Sequence, residues 1–382
     1  MPQFTLKPIT SRPAVVIAGL TLLAILAFAG VARFVNRFEE QEKALARHLY
    51  ERAMAEQRAG KPDLAVEHFR DALIYNPNNF DYQLQLARAL RDTGRTPEAE
   101  AYLVSLWERS PQDGAVNLAL GRLAARQKSL DKAIQYYHNA IYGVWSSNAD
   151  HNRLQVWFEL IEFLLQQNAR PQAQAELITL AAELPPETDS RLRVADLFAS
   201  MQDYEHALAE YRQVLKVEHS NARALAGGGE AAFSLGQYRL AERYLREAVN
   251  ANSQDPQVAR LLQVSRLVMD RDPFSPAISI QERNRRLKGI FDDAGKRLDS
   301  CMASQSGVAS SAQEQVSDST PLKEQWTEMK RKLVRLQSSR EAGLPNEVMN
   351  LVLRIEDQTR NCPPSAVDDA LLLLAQGHGS ER

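Results

Sequence analysis

The chain has 382 residues, 44% of them apolar and 25% charged, with 46 Lys and Arg against 48 Asp and Glu. A net charge of -2 argues against a dedicated nucleic-acid binder, which carries a basic excess. The only two cysteines, Cys301 and Cys362, are too few and too far apart for a zinc site or a CxxC redox motif.

In chain order, the first predicted piece is a short tail, residues 1–13, that carries Lys7 and Arg12 and no acid. Nineteen uncharged, mostly apolar residues follow, Ala14–Ala32. A bilayer needs about 20, so this stretch is expected to be a transmembrane helix or signal anchor. A cleaved signal peptide is the alternative, with a small-x-small site at Ala27-Phe28-Ala29. The apolar run continues past Ala29, which favours the anchor. Basic residues stand on both flanks, Lys7 and Arg12 before and Arg33, Arg37, Lys43 and Arg47 after, so the positive-inside rule leaves orientation open. The simpler topology for a single N-terminal span puts the bulk of the chain outside the cytoplasm. Residues 33–45 are expected to be a linker helix.

From residue 46 to 255 one unit recurs six times. Ala65, Ala99, Ala133, Ala173, Ala207 and Ala241 are 34, 34, 40, 34 and 34 residues apart. Twelve residues before each stands Ala53, Ala87, Gly121, Ile161, Ala195 or Gly229, and four after it Phe69, Leu103, Tyr137, Leu177, Tyr211 or Leu245. A period of this size marks a repeat architecture. Each unit reads as two amphipathic helices joined by a tight turn, with Gly60, Gly94 and Gly236 past the end of the first helix. Lys128 and Asn168 stand where that glycine is missing, and six extra residues fall within Trp145–Arg153, between the third and fourth units. A single helix pair cannot bury its apolar face alone, and stacking neighbours makes a continuous core.

This pattern resembles the tetratricopeptide repeat (TPR) family. The resemblance implies an all-α fold: a right-handed solenoid of about six helix-turn-helix repeats whose first helices line a concave groove. Helical periodicity then puts Tyr50, Arg58, Leu84, Arg88, Arg91, Leu118, Arg122 and Arg126 on the N-terminal half of that groove. Phe158, Glu162, Leu192, Asp196, Glu230 and Phe233 fall on the C-terminal half. Arginines in a groove suit carboxylates through two-pronged charge-assisted hydrogen bonds. Some members of the family bind a peptide's C-terminal carboxylate or acidic side chains in this way. A merely solvated charged face is the alternative.

Gly227-Gly228-Gly229 lies inside a predicted helix, follows no strand and lacks the lysine and hydroxyl of a phosphate loop, so close helix packing is its expected role. Trp157 at helical spacing reads as core. The seven histidines are scattered without metalloprotease spacing, and no G-x-S-x-G elbow occurs.

Beyond the array, Pro256–Asp270 is predicted to be a capping helix over the exposed end of the repeats. Residues 271–382 form a C-terminal helical region. A capping box at Ser279–Glu282 starts a helix to about Ser300, residues 304–320 form a flexible loop, and three amphipathic helices follow, Pro321–Ser339, Asn346–Arg360 and Ser365–Ala375. They are expected to form a bundle or to fold back on the last repeats. Cys301 and Cys362 would pair if the domain lies in an oxidising compartment; two buried free thiols are the alternative.

The expected function is a non-enzymatic, membrane-anchored scaffold that captures a protein segment in the groove, an acidic one where the arginines bind it, with no metal or cofactor. The layout resembles bacterial envelope scaffolds: ancillary subunits of the Sec translocon, cytochrome c maturation factors, and assembly factors for pili, secretion systems or exopolysaccharide export. Two alternatives stand. The repeats are a docking arm for an enzymatic or cofactor-binding C-terminal module, or the protein is a cytoplasm-facing adaptor of inverted topology.

Overall fold

A computed structural model describes residues 12–251, 255–276, 278–308, 320–335 and 343–379. The chain is all-α: among the described residues there are seventeen helices and no strand. It divides into two compact units, Met1–Glu176 and Leu177–Arg382.

In the first unit α1 (Arg12–Arg58) turns at Gly60 into α2 (Pro62–Tyr75). The next hairpins are α3 (Phe80–Asp92) with α4 (Thr96–Arg109) and α5 (Gly114–Arg126) with α6 (Leu130–Ile141). α7 (Ala149–Gln166) follows, then α8 (Arg170–Glu183), in which the division between the units falls. One apolar cluster runs through the first three hairpins. Its members include the repeating small residues Ala53, Ala65, Ala87 and Ala99, with Phe69 and Leu103 filling the space beside them. All six repeating alanines, from Ala65 to Ala241, are fully buried, since any larger side chain there would hold two helices apart.

α1 joins three predicted pieces in one helix, the apolar stretch, the linker and the first helix of the first repeat. Among the described residues it is the one helix long and apolar enough to cross a membrane, and its apolar window is wholly unburied.

The hairpin turns keep one backbone conformation whether or not glycine is present. Gly60, Gly94 and Gly236 have φ of 72°, 79° and 71°, and Lys128, Asn168 and Gln202 hold the corresponding places at 57°, 58° and 64°. The left-handed region costs a residue with a Cβ about 1–2 kcal/mol, and asparagine tolerates it best. Lys128→Gly is therefore expected to stabilise the protein by about 0.5–1 kcal/mol, after allowing for glycine's greater freedom in the unfolded chain. Asn168→Gly should gain less. Denaturant unfolding of the two variants checks the ranking, and Lys128→Gly melting below the parent would contradict it.

The first helices begin on recurring side-chain caps. Asn79 accepts from the Tyr82 amide at 3.0 Å, Asp113 from Val116 at 2.9 Å, Asn221 from Ala224 at 2.9 Å, and Asp255 from Gln257 at 2.8 Å. These residues follow the repeat period, and each satisfies an amide that the first turn of a helix leaves without a partner. The inserted residues after α6 are used locally. Val144 exchanges two backbone hydrogen bonds with Gln112 and Gly114, at 2.7 and 2.8 Å. Trp145 lies over Gly114, where an added Cβ would come within 2.4 Å of the indole.

In the second unit α9 (Thr188–Ser200) pairs with α10 (Tyr204–Val217), and α11 (Ala222–Ser234) with α12 (Tyr238–Asn250). The glycine triplet serves close packing inside α11: a Cβ on Gly227 would meet the Tyr211 ring at 2.3 Å, and one on Gly229 would meet Leu245 at 2.7 Å. α13 (Pro256–Arg271) lies against α12. α14 (Ile280–Val308), α15 (Thr320–Arg335), α16 (Leu344–Gln358) and α17 (Ala366–Gly379) complete the unit. α14 continues past the expected end near Ser300, through the first residues assigned to a loop; the rest of that loop, 309–319, and the last residues of the predicted Pro321–Ser339 helix lie outside the described residues, as do residues 1–11 of the tail. Phe291, Ile290, Val352 and Leu371 centre a core that also takes in Val264 and Val268 of α13 and touches Phe233 and Tyr238 of the last repeat. The C-terminal helices thus form a bundle and pack on the end of the repeats at once.

Candidate functional site

The predicted groove residues of the first unit separate into three groups. Leu84, Leu118 and Phe158 are buried, with 5, 9 and 3% of their surfaces exposed, and belong to the packing beneath the groove. Tyr50 stacks on Tyr82 with ring centroids 4.5 Å apart and packs against Phe69 at 5.7 Å; burial pushes its hydroxyl pKa up. The arginines stand along successive first helices, Arg58 on α1, Arg88 and Arg91 on α3, and Arg122 and Arg126 on α5.

They are not equivalent. Arg122 is already neutralised. Its guanidinium grips Glu159 of α7 with both prongs, Nε to Oε1 at 2.8 Å and Nη2 to Oε2 at 2.7 Å. Tyr137 donates its hydroxyl to the same carboxylate at 2.9 Å. The bond to Glu159 raises the Arg122 pKa, and burial followed by the Glu159 charge raises that of Tyr137. Arg126 donates to the Arg91 carbonyl and is otherwise exposed, as is Arg58. Arg91 donates Nε and Nη2 to Asp92 at 2.9 and 2.8 Å.

Two donors remain over. Nε of Arg88 and Nη1 of Arg91 are closed off from the surface and meet no acceptor. Burial depresses the Arg88 pKa, and the charges of Arg122 and Arg91 depress it further. A buried donor without an acceptor costs about 1–3 kcal/mol, and more when charged. Asp92 meets the charge of Arg91 and Glu159 that of Arg122, so the charge left over on α3 is that of Arg88. Beside this part of the groove lies a hollow of about 360 Å3 whose lining includes Arg91, Arg122, Arg126, Glu159, Glu162 and Phe163.

The residues assigned to the C-terminal half of the groove lie in two places. Phe158 and Glu162 are on α7, in the first unit. In the second unit Leu192 is buried, Asp196 accepts from the Tyr211 hydroxyl at 2.6 Å and from Arg223, and Phe233 meets the Tyr238 ring edge-on at 5.5 Å. Glu230 is partly exposed and accepts from Gln257 at 2.9 Å; partial burial of its carboxyl and then the Asp255 charge raise its pKa.

Trp157 is 5% exposed, and its indole N–H donates to Glu176 at 3.3 Å. The same carboxylate holds His138 at 2.7 Å, and that bond raises the imidazole pKa.

Cys301 and Cys362 are joined in a disulfide, with Cα atoms 5.8 Å apart. One helical turn before Cys301, Arg297 is 8% exposed and grips the same part of the chain. It pairs with Glu356 at 3.0 Å and Asp368 at 2.8 Å and donates to the carbonyls of Thr359, Cys362 and Pro363 at 2.9, 3.3 and 3.3 Å. Sequence reasoning missed this cluster, because its three charges come from separate helices with no mutual spacing. It also missed the Arg122–Glu159 pair. The recurring Asn or Asp caps were detectable, standing one turn ahead of each apolar run at the repeat period.

Comparison with known proteins agrees with the repeat reading. Residues 57–123 and 198–264 match the tetratricopeptide repeat family model. Cellulose synthase operon protein C of Escherichia coli O157:H7 is 27% identical over 199 residues, 52% of this chain and 17% of the relative. That of strain K12 is 26% identical over the same shares. The chain thus spans less than a fifth of the length of these relatives. Among solved structures, PilF of Pseudomonas aeruginosa is similar at 18% identity and a TM-score of 0.37, over 57% of this chain and 97% of PilF. The C-terminal part of a TPR repeat-containing protein from Cytophaga hutchinsonii gives 11% identity and a TM-score of 0.42, over 63 and 93%. With the period of 34, the buried small residues, the left-handed turns and the family match in agreement, this chain carries tetratricopeptide repeats.

Proposed function

We propose that the protein is a membrane-anchored scaffold whose first unit captures an acidic protein segment between α3 and α5. The observation that carries this reading is the Arg88 guanidinium, pressed by the charges of Arg122 and Arg91 and paired with no carboxylate among the described residues. Arg88 is only partly covered, so a partner carboxylate would meet the open side of its guanidinium in a partly dry site, where a charge-assisted bond is strongest. α1 supports attachment to a membrane, and the anchor raises the local concentration of any partner held there. The disulfide supports an oxidising compartment for the second unit, hence the extracytoplasmic side. The relatives named for a cellulose synthase operon are in keeping with a role beside an envelope machine.

The test compares binding of acidic peptides with a free C-terminal carboxylate, and of their amidated neutral counterparts, to the full chain in detergent. Arg88→Glu should weaken binding of the acidic set by at least tenfold, the loss of one charged hydrogen bond at about 1.5–3 kcal/mol, while leaving the melting temperature close to the parent's. Arg122→Glu should behave differently. It breaks the grip on Glu159 and sets two carboxylates together, so it lowers stability by about 1–2 kcal/mol; that pair is a third open to water and is discounted accordingly. Equal binding of both peptide sets, or no change with Arg88→Glu, would remove the proposal.

A further inference from the structure

The apolar side of α1 does not end with the stretch that would lie in lipid. Val31, Phe34, Phe38, Gln41 and Leu45 recur at spacings of 3, 4, 3 and 4 and fall on one face of the helix. The same count runs back through Ala27 and Ala24 to Leu20 and Ile17, which makes four heptads. Among the described residues nothing covers this seam: Val31, Phe34, Phe38 and Leu45 are 62, 71, 54 and 43% exposed. The hairpin uses a different face, where Ala46 and Ala53 are fully buried. Outside the span, the positions turned away from the seam are polar, with Arg33, Asn36, Glu39, Glu40 and Lys43.

We infer that the partner of this seam is a second copy of the same chain, in a parallel two-stranded coiled coil that runs from the span to the first hairpin. The inference rests on the reading of α1 as a membrane span. Two copies anchored in one bilayer with one topology are necessarily parallel. In a parallel pair the residue just before one heptad faces the residue five positions later on the other helix. Those residues are Arg37 and Glu42, of opposite sign, and the two-fold axis makes the contact twice. Ala24 and Ala27 allow close helix approach within lipid, where small residues favour association. Gln41 is the polar member of the seam. Side-chain amides facing each other can bond across the pair and penalise a slipped register. The arrangement would set two capture grooves side by side on one stalk.

The experiment is oxidative cross-linking of the full-length chain in liposomes. The native cysteines are held in their disulfide, so an added thiol is the one free to react. Gln41→Cys on the seam should form dimers about tenfold faster than Lys43→Cys, which a coiled coil turns outward. Arg37→Glu should slow the Gln41→Cys reaction, and Arg37→Glu with Glu42→Arg should restore it. A chain that survives a carbonate wash of the vesicles yet cross-links at equal rates at both positions, or at neither, overturns the pairing and leaves the span intact; Phe34 and Phe38 are then lipid-interface residues of a monomer. A chain that the wash strips from the vesicles refutes the span, and with it the parallel arrangement. Arg88→Glu should leave the cross-link unchanged, which separates this result from failure of the groove.

Discussion

Arg297→Leu is expected to destabilise the second unit by about 3–5 kcal/mol, the usual cost of removing one partner from a buried ion pair. The substitution strands Glu356, 4% exposed, and deletes the donors that hold the carbonyls of Thr359, Cys362 and Pro363. Asp368 keeps some support from the Ser365 amide at 2.6 Å, so Glu356 carries most of the penalty. The cost should depend on pH in a definite direction. Burial, opposed by Arg297 and reinforced by Asp368 and Asp369, pushes the Glu356 pKa from 4.5 up to about 7. The folded state thus holds this proton more tightly than the unfolded chain does. The stability it contributes is full below 4.5 and is lost as the pH rises through 7. Without Arg297 the acid prefers the neutral form more strongly still, so the variant should lose least near pH 5 and most near pH 8. Arg297→Met combined with Glu356→Leu should recover much of the loss, because an apolar replacement leaves no charge uncompensated. Denaturant unfolding at the two pH values measures the cost, and hydrogen exchange over α14 and α16 locates it. A penalty below about 1 kcal/mol at pH 8 would show that the cluster does not hold the bundle together.

Loss of the disulfide comes next. Cys301 and Cys362 are 61 positions apart, and closing a loop of that size is worth about 4 kcal/mol in the chain-entropy model. Cys301→Ser with Cys362→Ser should therefore lower the unfolding free energy by a similar margin, and added reductant should shift the unfolding midpoint of the parent but not of the variant. The helices should remain, because Arg297 still holds the turn between α16 and α17. The two devices grip the same segment from one helix, so their losses should not add, and a cycle through the single and combined variants measures the coupling. Equal melting of parent and variant under oxidising conditions would show that the loop is restrained by packing alone.

Much of the architecture was legible in the chain. The 34-residue period announces stacked hairpins because small residues must recur wherever two helices approach closely, and that demand repeats at each hairpin. The glycine triplet was readable for the same reason. The conformation of Lys128, Asn168 and Gln202 was less so. Neighbouring hairpins hold the turn in the left-handed region, so the side chain there bears a cost that local preference alone would avoid. The candidate groove was legible only in outline. Periodicity put Arg88, Arg91, Arg122 and Arg126 on one face, yet Arg122 spends its charge on Glu159, which is 37 positions away. Leu118 and Phe158 fell on the predicted face and proved to be buried, because a helix wedged between neighbours hides more than half of its circumference.

By itself, the sequence determined the helical class, the repeat unit, its number and phase, and the apolar N-terminal stretch. These follow from local periodicity and from the volume that a side chain may occupy at a recurring contact. Only the tertiary structure decided which charges neutralise one another. It showed that Arg297 serves Glu356 and Asp368, that Arg122 serves Glu159, and that Arg88 and Arg91 keep enclosed donors to spare. Ion pairing depends on distances of a few ångströms between residues far apart along the chain, and no pattern of spacing encodes them.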